Sequence, residues 1–328
     1  MKRPLKTLLR GLIGLALLAG VIWLADPAQL IGQLRHARPG WLLAGLAAAI
    51  ASNIVSAWRW RALAGWLGVP ARLADAGRWY FQAVGLNVLL PGAVVGGDVY
   101  RAVMLAGAGG NTLAASWSVA LDRISGLWLL CALSGLGAAV CAPALAPLLA
   151  PVWPLSPGAF AGLCLAASAI WLLLPWGLLM LLRRGRGRGR VGGLPRWLEP
   201  LAQAARRPDF GAQLAVQMLA STLVQALSAL ALAMGGLALG VHLPAAAWAF
   251  AATPVFLMAT LPVSVGGWGT REAAAAAALA PFGVPVAAAV GTGLIYGVFG
   301  LAQGALGALA FGLPQGTARK YGRRARAN

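Results

Sequence analysis

Apolar runs long enough to cross a bilayer recur from one end of this chain to the other. A membrane-crossing helix needs roughly 20 predominantly apolar residues, and such runs begin near residues 8, 40, 112, 158, 210 and 286. Only 10% of the 328 residues are charged, against about a quarter in soluble domains. No stretch is polar enough for a folded soluble domain. The predicted fold is therefore an all-α polytopic membrane protein.

Charge gives the predicted sidedness. The net charge is +19, from 26 basic and 7 acidic residues, and the arginines cluster at the ends of apolar segments. The positive-inside rule produces that pattern. The run "RRGRGRGR" at 183–190 is read the same way, and nucleic acid is not an expected partner. Lys2, Arg3, Lys6 and Arg10 place the N-terminus in the cytoplasm, followed by a span over 8–25. With no small-x-small cleavage site before Asp26, this span is expected to stay uncleaved. The next span, 40–58, ends in "WRWR", where Trp58 and Trp60 suit the interface and Arg59 and Arg61 the inner side. Later spans are expected over 112–142, 158–182, 210–241 and 286–312. Eight arginines lie between Arg183 and Arg207, and the tail is basic again. Both termini are thus expected inside a prokaryotic cytoplasmic membrane. Residues 1–317 form one transmembrane domain with a basic cytoplasmic loop at 183–208, and 318–328 form the tail. Arg35, His36 and Arg38 fall in the first external loop and are the exception.

Two apolar regions are broken. The stretch 79–107 holds 29 residues, too few for two spans of about 20 each. A single span there would put the basic 183–207 loop on the outside. A re-entrant hairpin of two half-helices satisfies both constraints. Its break reads Leu90-Pro91, Gly96-Gly97, Arg101. A second break reads Leu261-Pro262, Gly266-Gly267, Arg271. By parity the hairpins enter from opposite sides, which makes an inverted repeat over about 40–142 and 209–312. Paired, Gly/Pro-interrupted segments point to a transporter's binding site.

Irregular backbone at membrane depth survives only when it is buried in protein or lines a cavity. A broken helix also offers freed N–H groups and the positive end of a helix dipole to an anion. Gly96 and Gly97 would let a ligand approach the backbone, and Asn87 could satisfy a carbonyl left free by Pro91. Arg101 and Arg271 suit a phosphate or carboxylate, because a guanidinium can bond such groups bidentately. Ser264, Gly266, Gly267 and Glu272 complete the second break. Asp98, Asp122 and Glu272 are candidates for a proton relay. The same charges also admit a purely structural reading, in which Asp98, Asp122 and Glu272 neutralise Arg101, Arg123 and Arg271. Arg123 points about 100° from Asp122 around the helix, so different partners are expected for the two.

Polar stripes run along three spans: Ser52, Ser56 and Arg59; Ser118, Asp122 and Ser125; Gln213, Gln217, Ser221, Gln225 and Ser228. Each stripe shares one helix face and is expected to bond a neighbour or line a path. Glycines at 293, 297, 300, 304 and 307 form a packing stripe. Cys131, Cys141 and Cys164 are read as buried hydrophobes. Two isolated histidines build no metal cluster, and no lysine follows a Gly-rich loop, so neither cofactor nor metal is expected.

The segments "GLNVLLPGAVVGGDVYRAVML", "SVALDRISGL" and "LPVSVGGWGTREAA" resemble the flippase-like family typified by the transmembrane region of lysylphosphatidylglycerol synthases, over about 8–312. In those synthases the region is held to carry aminoacylated phosphatidylglycerol across the bilayer. No lysine-transferring domain follows residue 312 here, so the resemblance implies lipid translocation rather than aminoacylation. It leaves aminoacylated, glycosylated and hopanoid-type lipids open as substrates. A homo-oligomer or a separate lipid-modifying enzyme is the expected protein partner. Two other classes stay open: a membrane-embedded lipid-linked glycosyltransferase, disfavoured by the scarcity of loop carboxylates, and a non-catalytic scaffold.

Overall fold

The computed structural model describes residues 2–89, 94–109, 111–184, 196–261 and 264–312, which contain helices and no strand. The α-helices are α1 Lys2–Leu24, α2 Pro27–Arg35, α3 Pro39–Trp66, α4 Leu73–Leu89, α5 Val94–Gly107, α6 Thr112–Val140, α7 Ala142–Leu149, α8 Pro157–Arg184, α9 Glu199–Ala204, α10 Phe210–Ala238, α11 Ala245–Thr260, α12 Thr270–Leu279 and α13 Val286–Leu309. Five of them, α3, α6, α8, α10 and α13, hold apolar stretches long enough to cross a membrane. A sixth candidate is the pair α1 and α2, bent by 86° at the break between them. The chain is an all-α polytopic membrane protein.

Local sequence sets the breaks. Asp26 stops α1 at φ 57° and its carboxylate accepts from the Ala28 N–H at 3.0 Å, while Pro27 opens α2. Proline is well placed there because the first helical N–H has no intrahelical partner. Asn111 caps α6 in the same way through the N–H groups of Leu113 and Ala114. The sequence predicts external loop after the spans that end at 25 and 142, whereas 27–35 and 142–149 are helical, as the capped α2 and the proline-started α7.

Three helices carry interior prolines, Pro147 in α7, Pro175 in α8 and Pro254 in α11, and α6 compensates the last two. Pro175 has no N–H for the Trp171 carbonyl, and Trp128 Nε1 donates to that oxygen at 2.6 Å. Trp171 Nε1 in turn donates to the Trp128 carbonyl at 3.0 Å. Pro254 likewise frees the Phe250 carbonyl, which accepts from Ser134 Oγ at 3.1 Å. Trp128→Phe keeps the ring but strands the Trp171 carbonyl. It should lower stability by about 1 kcal/mol, seen as a lower thermal midpoint in detergent. An unchanged midpoint would show that the carbonyl needs no side-chain partner.

The direction of each helix follows from residue pairings. Ser52 meets Val224 and Ser228 while Arg59 meets Ser221, so α3 and α10 are antiparallel. Trp60 meets Ser118 and Arg59 meets Asp122, so the start of α6 lies with the end of α3. Gly45 lies against Phe299, and Asn53 bonds Gln303, so α13 runs parallel to α3. One face therefore holds the end of α3, the starts of α6 and α10 and the end of α13, with Arg61, Arg72, Arg78, Arg206 and Arg207 nearby. It is the arginine-rich face.

Both broken regions fold as hairpins. In the first, Gly97 lies against Ala83 and Asn87 while Tyr100 bonds Gln82, so α5 returns along α4. Its outer leg aligns with α13: Gln82 donates to the Ala310 carbonyl, and Gly307 and Gly304 lie against Gly85 and Val88. This hairpin enters from the arginine-rich face. In the second, Gly267 lies against Ala259, and Ala274 to Ala278 pack with Trp248 to Val255. Its outer leg begins beside the end of α6, where Gly137 meets the Ala246 carbonyl. The second hairpin thus enters from the opposite face, and the repeat is inverted. Near its tip, α1 closes over it, with Gly14 against Ser264 and Leu17 and Leu18 against Gly269. Leu90, Pro91 and Pro262 lie outside the described residues.

The glycines of α13 seat both hairpins. Gly293 and Gly297 face Glu272 and Arg271 of α12, and Gly304 and Gly307 face Val88 and Gly85 of α4. Gly300, between the two pairs, has nothing within 4 Å of where a Cβ would stand. All three cysteines carry free thiols; Cys141 is buried with Cys164 packed in the same apolar cluster, while Cys131 and Cys164 are half-buried rather than buried.

Candidate functional site

Five charged side chains from α3, α5 and α6 form one alternating chain. Arg59 Nη2 bonds Asp122 Oδ1 at 2.8 Å. Asp122 Oδ2 accepts from Arg101 Nη1 at 2.8 Å. Arg101 Nη2 bonds Asp98 Oδ1 at 2.9 Å. Asp98 then accepts Arg123 Nε at 2.8 Å and Nη2 at 2.9 Å in a bidentate fork. Three guanidinium groups against two carboxylates leave one positive charge. Asp122 lies ten residues into α6, about 15 Å along its axis, so this surplus sits at membrane depth. One charge at mid-span costs roughly 2.5–3.5 kcal/mol on the insertion scale, and pairing offsets much of that.

The two ends of the chain differ. Arg59 is buried, its Nη1 donating to Ser221 at 2.9 Å and its Nη2 also to the Asp122 carbonyl at 3.0 Å. At the other end, the Arg123 side chain is 41% exposed and that of Asp98 20% exposed. Around them Val99, Val103, Ile124 and Leu127 are exposed apolar residues. Arg101, in the middle, lies between the rings of Trp60 and Tyr80, 5.0 and 4.8 Å from their centroids. Ring faces attract a guanidinium, so aromatic groups from α3 and α4 hold the cation that α5 supplies.

The second hairpin makes a separate, closed cluster. Glu272 accepts from the Gly269 N–H at 2.6 Å and from Arg271 Nη2 at 2.6 Å. Arg271 Nε donates to the Gly293 carbonyl at 3.0 Å, and its guanidinium stacks 4.6 Å from the Trp268 ring. Gly266, Gly267 and Gly269 have φ of 62°, 75° and 85°, a region that favours glycine. Ser264 and Thr270 pair through their hydroxyls at 3.2 Å. The cluster is neutral and buried.

These positions revise several sequence-based expectations. Among the described residues Arg101 and Arg271 share no partner: Arg101 bonds Asp122 and Asp98, and Arg271 bonds Glu272 and the Gly293 carbonyl. Asn87 satisfies a donor rather than a carbonyl, since its Oδ1 accepts from the Gly97 N–H at 3.0 Å. Gly97 gives close approach to α4 rather than to a ligand, because a Cβ there would overlap Asn87 Oδ1, and one on Gly267 would lie 2.8 Å from the Ala259 carbonyl. Gly96 sits in the first turn of α5, half-buried. Arg59 and Trp60 are buried in the helix bundle, not placed at the interface. The stripe of Ser52, Ser56 and Arg59 carried the signal for this, because its face must match the stripe on α10. Arg123 and Asp122 do serve different partners. The polar stripes mostly bond between helices: Gln225 donates to the Gly126 carbonyl at 2.8 Å, and Ser52 pairs with Ser228 at 2.8 Å.

Fold and site together define a polytopic helical membrane protein with two oppositely inserted broken helices and a cationic chain of side chains at membrane depth. The chain matches the family described as the lysylphosphatidylglycerol synthase TM region over residues 11–307. It belongs to that family, whose members are membrane proteins related to lipid modification or flipping. No curated protein matches it.

Proposed function

We propose that this protein moves an anionic, aminoacylated or glycosylated lipid between the leaflets of the cytoplasmic membrane. The arginine-rich face is the cytoplasmic one by the positive-inside rule. The observation that carries this reading is the surplus positive charge of the alternating chain, whose Arg123 end lies among exposed apolar residues. A lipid phosphate reaching that point can take the Arg123 fork from Asp98, exchanging one bidentate anion for another. Hairpins entering from opposite faces support alternate access. The chain acts as a transporter rather than a catalyst, and a separate enzyme makes or modifies its lipid. Asp98, the partly exposed carboxylate, is the proton-relay candidate best placed to change partners.

Labelled lipids in proteoliposomes test this. Hydrogen bonds to charged groups contribute about 1.5–3 kcal/mol, and 1.4 kcal/mol is tenfold. Arg123→Gln should therefore slow transfer of a phosphate-bearing lipid roughly tenfold or more and leave a neutral lipid that lacks a phosphate unaffected. Its thermal midpoint should stay near wild type, because the side chain is partly exposed. Equal transfer of the phosphate-bearing lipid by both proteins would favour the scaffold reading, in which the charges only fix packing.

A further inference from the structure

A groove of about 610 Å³ runs along the outside of the bundle between α3, α4 and α10. Its walls are apolar, with Ile54 and Trp58 from α3, Leu73 and Phe81 from α4, and Val216 and Leu223 from α10. Because α3 ends at the arginine-rich face while α4 and α10 start there, Trp58, Leu73 and Val216 form the end nearest that face. Ile54, Phe81 and Leu223 form the deep end. From 73 to 81 is about 12 Å of helix, most of the roughly 15 Å depth of one hydrocarbon leaflet. Ile54, Leu73 and Leu219 are exposed, so one long side opens to lipid. The floor is made of small residues, the buried Ala57 and Ala220. Gly77 lines the groove too, and a Cβ there would meet nothing within 4 Å. Glycine is a poor helix residue, and no packing neighbour among the described residues calls for it at 77.

Charge marks the end nearest the arginine-rich face. Arg61 follows Ile54 and Trp58 on one helix face, at spacings of four and three. Its Nε donates to the Ala71 carbonyl at 3.0 Å, which holds the guanidinium beside the peptide that leads into α4. Arg72 is exposed and directly precedes the lining residue Leu73. The carboxylates at the starts of α4 and α10 are engaged by other cations: Asp75 pairs with Arg78 at 3.5 Å and Asp209 with Arg207 at 3.4 Å. An apolar groove nearly one leaflet deep, with guanidinium groups at headgroup level, has the polarity of a phospholipid. We propose that it holds one acyl chain of a phospholipid whose phosphate lies at Arg61 and Arg72. A second copy of this protein fits less well, because a twofold axis along the membrane normal would set these arginines against their own copies. No lining residue belongs to α5 or α6, so the site is separate from the Arg123 end of the charged chain. The bound chain braces α4, the outer leg of the first hairpin, against α3 and α10.

The test uses the full chain carrying Arg123→Gln, so that phosphate binding at the charged chain does not contribute. Thermal midpoints are read in maltoside micelles doped with phosphatidylglycerol or with diacylglycerol of the same chains, which lacks the phosphate. Phosphatidylglycerol should raise the midpoint by roughly 3 °C more than diacylglycerol, at lipid about ten times the dissociation constant. Gly77→Leu fills the groove, and leucine favours a helix over glycine, so this variant should fold. Its midpoint without lipid should match or exceed the parent's, and the difference between the two lipids should vanish. Arg72→Gln should shrink that difference, and adding Arg61→Gln should abolish it. Equal midpoints with the two lipids would overturn the proposal, as would a difference that survives Gly77→Leu unchanged. Glycerol phosphate giving the full shift without lipid would show a soluble phosphate site and overturn the acyl chain. A dimer in lipid-free micelles that Gly77→Leu converts to a monomer would put a second copy in the groove and overturn the lipid. Melting is read without transport, so failure here leaves the transport reading standing.

Discussion

Asp122→Ala is expected to cost more stability than any other single change considered, to the point that little folded protein is recovered. Its two carboxylate oxygens hold Arg59 and Arg101, both nearly inaccessible. Removing one partner of a buried pair costs about 3–5 kcal/mol, out of a total stability of about 5–15 kcal/mol. Arg101 keeps Asp98, but Arg59 is left with Ser221 and the residue 122 carbonyl. The local surplus rises by one positive charge. Adding Arg59→Met should restore part of the loss, because the stranded cation disappears with it, and the two changes should be far from additive. Melting of the single and double variants in detergent measures this. A single variant that melts within a degree or two of wild type would mean the charged chain does not hold the bundle together.

Gly307→Ala and Gly300→Ala should act in opposite directions although they lie two turns apart on one stripe. A Cβ at 307 would overlap the Phe81 carbonyl and stand 2.7 Å from the Gly85 nitrogen, both backbone atoms of α4 that cannot swing away. Overpacking of this kind costs about 1–3 kcal/mol, and it drives the first hairpin off α13. Gln82 would then lose the Ala310 carbonyl. At 300 a Cβ meets nothing, and alanine is a better helix former than glycine by about 1 kcal/mol. Gly300→Ala should therefore melt at or above wild type and transport normally, while Gly307→Ala melts lower and transports poorly. Matching behaviour of the two would show that the glycine stripe does not seat the hairpin.

Much of this architecture is legible in the sequence because hydrocarbon permits few solutions. Span positions follow from apolar length, and α3, α6, α8, α10 and α13 begin within a residue or two of where those runs begin. The opposed hairpins follow from a length too short for two spans combined with arginines that fix parity. Partner choice is less legible. Nothing in the order of residues says that Asn87 turns to Gly97, or that Glu272 bonds its own neighbour Arg271. "WRWR" looks like an interfacial belt because aromatic and basic residues gather there in many spans, and only the packing of α6 and α10 reveals Arg59 and Trp60 as interior. The approach of Gln217 to the Arg59 carbonyl is likewise invisible until α3 and α10 pack together.

The two glycine seats on α13 are separated by the seven residues from 297 to 304, about 10 Å of helix. The hairpins therefore meet the same rod end to end, each reaching only partway through the hydrocarbon. At that place the seal between the two aqueous phases is two half-thickness plugs in series. Under the proposed transport function, withdrawing either one would wet a single leaflet while its counterpart stays shut, so a large headgroup would be admitted without giving ions a continuous leak.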